Sequence, residues 1–126
     1  METEITRNNL LDINESLKYL AAKETSIWYQ ILKNRKKLKS HFDETLELRD
    51  AIIEKFAEKD ENNNNLRDEK GNIIMKDIEK ATEALKNLGL ETIKIEFDKA
   101  KISDLCDSKI ETRYIEPLLD IILTEE

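Results

Sequence analysis

At 126 residues, with 39% charged and 39% hydrophobic side chains, two glycines and one proline, the chain is sized for a single domain with its own core and composed for helix. Its apolar residues fall in stripes, which argues against global disorder, and no apolar run reaches the length of a membrane span. The net charge of −7 is unevenly placed: residues 1–58 hold 11 acidic against 10 basic side chains (net −1) and residues 59–126 hold 17 against 11 (net −6). A field of that sign disfavours nucleic acid and anionic membranes as partners and favours encounter with basic protein surfaces.

The opening METEITRNN lacks the charged-then-apolar order of a signal peptide, and the single Cys106, flanked by Asp104 and Asp107, has no bridging partner. Both features fit a reducing, cytoplasmic setting. From residue 4 to about 22, Ile5, Leu10, Ile13, Leu17 and Leu20, widened by Leu11 and Tyr19, predict a first amphipathic helix, with Thr3 or Thr6 as its cap. The short AAKETS bridge leads into the dominant element, a helix expected over Thr25 to Ala57 and capped by Thr25 or Ser26. Such a helix is about 50 Å long and needs packing partners along its length. Its stripe is expected to run through Trp28, Ile31, Leu38, Phe42, Ile52 and Phe56, carrying Arg35, Thr45 and Arg49 with it. Arg35 and Arg49 are then expected to find carboxylates, because an unpaired guanidinium on an apolar face is costly.

The run ENNNN ends the long helix, since asparagine side chains compete for backbone hydrogen bonds. Gly71-Asn72 predicts a turn between Leu66-Arg67 and Ile73 to Met75. Ile78, Ala81, Leu85 and Leu88 predict a short helix from Asp77, ended by Gly89 in a left-handed cap. LETIKIEF alternates as a half-buried strand, Ser103 caps a single turn through Leu105, and PLLDIILTEE reads as a C-terminal apolar helix opened by Pro117. No internal repeat and no interior linker is legible. The expected fold is mainly α with an α+β part. A long antiparallel helical hairpin (residues 1–58) is followed by a polar loop or hairpin (59–76) and an acidic part of short helices and a strand (77–126), all in one domain.

The basic KNRKKL segment, the ELRDAIIEKFAEKDE run leading to a GNI turn, and KISDL followed by a proline-started apolar helix ending in acid resemble a group of small uncharacterised proteins encoded by phages and prophages. The resemblance covers the chain from about Ser26 onward. It implies a phage context and carries no assigned activity.

Asp60, Asn62 and Asn64 have the alternating spacing that opens a calcium loop, but Asn65 and Gly71 stand where glycine and a bidentate glutamate are needed, so Asn62 to Asn65 are expected to be a solvated loop. The cluster Lys33, Arg35, Lys36, Lys37 and Lys39 lacks an aromatic stacking platform and is followed by Asp43, Glu44, Glu47 and Asp50; a solvated or partner-facing surface is favoured over nucleic-acid binding. His41 is the only histidine, carboxylates are too abundant for any pair to be diagnostic, and no phosphate loop is present. No catalytic, metal or cofactor residue is therefore assigned. The expectation is a non-enzymatic protein that works by binding another protein, such as a host nucleic-acid-binding or defence protein, through its acidic surface. A virion structural or assembly role is the alternative, and a homodimer is expected in either case. The candidate contact residues are Tyr29, Arg35, Arg49, Glu91, Glu96, Asp98, Asp104 and Asp107.

Overall fold

The computed structural model describes residues 2–105 and 109–125, so Cys106 and Asp107 lie outside the described residues. In chain order the elements are β1 (Thr3–Thr6), α1 (Arg7–Ala21), α2 (Trp28–Phe56), α3 (Ile78–Leu90), β2 (Thr92–Ile95), β3 (Ala100–Lys101), α4 (Thr112–Ile115) and β4 (Leu123–Thr124), with 3₁₀ turns at Ile102–Leu105 and Glu116–Leu118. The protein is thus mainly α with small sheets, one of them antiparallel, as expected.

Chain entry differs from the sequence reading. Residues 3–6 do not begin the first helix; they pair antiparallel with β2, Ile5 opposite Ile93, which puts the buried Ile5 on the inward face of a two-stranded ribbon. Thr6 then caps α1 by accepting the Asn9 amide at 3.1 Å. From there the predicted stripe holds: Leu10, Ile13, Leu17 and Leu20 are buried against α2 and the C-terminal segments. Each such side chain contributes about 1.5–3 kcal/mol by leaving water.

On α2 the expected interior holds at Ile31, Leu38 and Thr45 and is one residue off at Trp28 and Arg35; Phe42, Ile52 and Phe56 are half-buried and Arg49 is exposed. Ile31, Leu38 and Thr45 are buried as predicted, but the steps between them are filled by Ile27 and Asn34, and Trp28 and Arg35 point to solvent. A slip of one residue turns a helical position by about 100° and moves it off the packed face. Asn34 escapes notice because it looks polar, yet its amide replaces a strand partner: Nδ2 donates to the Asp98 carbonyl oxygen (2.9 Å) and Oδ1 accepts the Asp98 amide (2.7 Å). Neither expected cap operates at the start of α2; Ile27 holds the N-cap position without a side-chain bond, and Ser26 Oγ instead donates to the carbonyl of Asp104.

Residues 57–76 form an ordered, repeating element. Glu58 N–H donates to Ile74 O (2.8 Å), Ile74 N–H to Leu66 O (2.9 Å) and Leu66 N–H to Glu58 O (2.8 Å), so three arms close a ring of backbone hydrogen bonds. The two turns between the arms are copies eight residues apart. Asp60 Oδ1 accepts the amides of Asn62 and Asn64, and Asp68 Oδ1 those of Lys70 and Asn72. Each turn places one residue in the left-handed region, Asn63 (φ 63°) and Gly71 (φ 83°). The Gly71-Asn72 turn is as predicted. The repeat is not, and neither is the order of the asparagine run, in which the Asp60 carboxylate accepts the amides of Asn62 and Asn64 and the Asp60 carbonyl that of Asn63.

Two further corrections concern the C-terminal half. Gly89 lies inside α3 and does not end it; a Cβ there would stand 2.4 Å from Asn8 Oδ1, so its role is close approach of α3 to α1. The expected C-terminal helix stops after Leu118. Asp120 takes φ 63° and turns the chain so that β4 pairs in parallel with β3, burying Leu118, Ile122 and Leu123 together. The helix begins at Asp77 as predicted, with the Asp77 side chain as its cap, accepting the Lys80 amide, and Ile95 and Phe97 face inward as predicted. Ser103 lies within the 3₁₀ turn it was expected to cap.

Candidate functional site

Five cations on α2 between residues 33 and 39 separate by helical geometry into two groups. Lys33 and Lys37, one turn apart, converge on Asp98, with nitrogen to oxygen distances of 3.5 and 3.1 Å, and Lys37 also donates to the Glu96 carbonyl at 2.8 Å. The hydrogen bond from Lys37 holds the Asp98 carboxyl below the usual aspartate range, with the nearby charges of Lys37 and Lys33 adding to it. Together with Asn34, these residues tie α2 to the segment after β2. This half of the basic cluster is consumed by the fold.

The other half faces outward. Arg35, Lys36 and Lys39 line an open groove of about 450 Å³ with Lys18 and Asn14 of α1, and Leu32 and Phe42 form its apolar floor. Asp43 is the acid in this lining, and it is bound by Lys39 at 2.9 Å. Arg35, Lys36 and Lys18 make no ion pair among the described residues, contrary to the partner expected for Arg35. One turn before Leu32 stands Trp28, 63% exposed, in edge-to-face contact with Tyr29 at 5.6 Å between ring centroids. The expectation that Trp28 is core is therefore corrected: Ile27 takes the buried position and Trp28 is on the surface. Tyr29, a proposed contact, is also exposed, and Lys33 Nζ sits 4.8 Å from its ring centroid.

The remaining candidates do not gather in one place. Glu91 is engaged by a buried cation that the sequence reading passed over, Arg7. Its Nε meets Glu91 Oε1 at 3.1 Å, its Nη2 meets Glu44 Oε1 at 3.0 Å and its Nη1 donates to Thr45 Oγ1 at 2.8 Å. Asp98 is held by lysines as described. Glu96 and Asp104 are exposed, and their carbonyl oxygens accept from Lys37 and Ser26. Arg49 is exposed too and makes no ion pair among the described residues; it borders a cavity of about 150 Å³ lined by Leu11, Leu85 and Leu88. Arg7 gave no usable signal, because an arginine directly after a capping threonine normally reads as surface.

No group of three or more His, Cys, Asp or Glu among the described residues is arranged to hold a metal ion, and the Asp60 oxygen of the calcium-like spacing is occupied by backbone amides. No described helix is long and apolar enough to cross a membrane. Comparison with protein-family models, curated proteins and solved structures gives no match.

Proposed function

We propose that this chain is a non-enzymatic accessory protein of phage type that works by binding another protein, without a cofactor, in the cytoplasm of the host. The observation that carries this reading is the row of large exposed side chains Trp28, Tyr29 and Leu32 at the head of α2, next to cations that the fold leaves unpaired. Aromatic anchors with a charged rim are the usual composition of a protein-binding surface. The α1–α2 hairpin supplies a rigid frame for it: the Arg7 to Thr45 contact and the short connection after Ala21 run the helices in opposite directions. The sharper form is inhibition of a host nucleic-acid-handling or defence protein, in which the exposed Asp104 answers a basic surface and Glu96 adds to the field. Glu91 and Asp98 contribute field to it, not free contacts.

The second reading, a head, connector or tail component of a virion, is favoured by the same exposed apolar row together with Leu48 further along α2, which suits packing between copies. Affinity capture from host cells, followed by reconstitution from purified components, decides between them. A stoichiometric complex with one host protein supports the binding reading. Co-purification with particles, and no host complex, overturns it in favour of the virion role.

A further inference from the structure

We infer that the groove between α1 and α2, floored by Leu32 and Phe42 and rimmed by Lys18, Arg35, Lys36 and Lys39, takes an acidic amphipathic helix of the partner protein. This rests on the protein-binding reading above and gives the partner segment its chemistry. The chain has a net charge of −7, yet this lining holds four cations against Asp43, which Lys39 already neutralises. On the opposite side of the same basic segment, Lys33 and Lys37 are paired with Asp98. Lys18, Arg35 and Lys36 converge on one groove without a carboxylate partner among the described residues, and charge complementarity assigns acids to the occupant.

The shape of the face sets the rest. Trp28, Leu32, Arg35, Lys39 and Phe42 recur at steps of three and four along α2, a stripe about 20 Å long, which matches about four turns of a second helix laid beside it. Leu32 is 40% exposed and Trp28 63%, so the occupant needs apolar residues on its inner face and acids flanking them. Single-stranded nucleic acid stacks bases on flat aromatic faces; exposed Trp28 and Tyr29 lie at one end of the stripe, but the floor along its length is Leu32 and a half-buried Phe42, which suits a helix better.

Trp28 is the only tryptophan and stands one turn before Leu32 on the same stripe of α2, so its emission reports a helix laid along that stripe. Titrate the full chain with a four-turn helical peptide of leucine and glutamate, with its lysine counterpart, and with short single-stranded and duplex DNA. The glutamate peptide is expected to bind with a blue shift of Trp28 emission. Its affinity should fall about tenfold or more in the Arg35→Glu, Lys36→Glu, Lys39→Glu variant and at raised salt, with Lys18→Glu giving a smaller loss. All four positions are exposed, and far-UV circular dichroism checks that each variant is folded. The inference is overturned by no binding of the glutamate peptide, by equal binding of the lysine peptide, by indifference to charge reversal, or by tighter binding of DNA. It is also overturned by a dimer in light scattering that the triple variant dissociates, which makes a second copy the occupant. If the triple variant still captures the partner of the native chain, the groove fails and the wider reading survives; if the native chain captures none, both fail.

Discussion

Thr45 Oγ1 accepts a 2.8 Å hydrogen bond from Arg7 Nη1 and donates its own proton to the His41 carbonyl, also at 2.8 Å. Arg7 is almost wholly buried, so this hydroxyl, with Glu44 and Glu91, is what makes a guanidinium tolerable at the junction of β1, α1, α2 and α3. Thr45→Val keeps the shape and removes the acceptor. It is expected to cost about 2 kcal/mol in urea unfolding, as for a buried hydrogen bond to a charged group. Arg7→Met should cost no more than a few kcal/mol, because the carboxylates it releases are half exposed and return to water.

The packed face of α2 gives a paired test at adjacent positions. Asn34→Leu leaves the amide and carbonyl of Asp98 without partners and should cost about 2–3 kcal/mol. Arg35→Leu, on the solvent side, should change stability by less than about 0.5 kcal/mol. If the arginine were the interior residue, as the simplest reading of the stripe has it, the two results would be reversed.

Acid should weaken the link between α2 and the segment after β2. The Asp98 carboxyl titrates lower in the folded protein than in the unfolded chain, so its contribution is fully present above the ordinary aspartate range and is lost as pH falls through the depressed value. Stability measured from neutral pH downward should therefore show an acid-side decline that is shallower in Asp98→Asn. The variant is less stable near neutrality and converges on the native chain at the acid end.

The repeat in residues 57–76 predicts unequal tolerance at equivalent positions. Gly71→Ala forces a side chain into φ 83° and should cost about 1 kcal/mol, although open space surrounds the site. Asn63→Gly, at φ 63°, should be close to neutral. Hydrogen exchange of the Glu58, Leu66 and Ile74 amides is the specific readout, since these three close the ring and should lose protection together in Gly71→Ala.

Much of the architecture was legible in the sequence because it rests on periodicity: the α1 stripe, the length of α2, the start of α3 at Asp77 and the alternation of β2 all follow from spacing. What was not legible depended on polar residues in buried roles. Asn34 and Arg7 look like surface residues and are buried because a backbone strand and two carboxylates meet them from distant parts of the chain. Trp28 erred in the opposite direction: its size suggested core, but the adjacent Ile27 took that place. The eight-residue repeat was hidden because the turn glycine of one copy is an asparagine in the other, two residues that share tolerance of left-handed backbone and little else. At the surface, the basic segment was recognised, but its division into Asp98-bound and groove-facing halves needed the position of Asp98.

The central claim, that the face of α2 beginning at Trp28 is a binding surface and not core, is tested most directly by quenching Trp28 fluorescence with iodide and with caesium, before and after the captured partner is added. The account predicts ready quenching of the free chain, stronger for iodide because the neighbouring groove is cationic, and protection in the complex. Shielding of Trp28 in the free chain, or equal quenching in the complex, would contradict it.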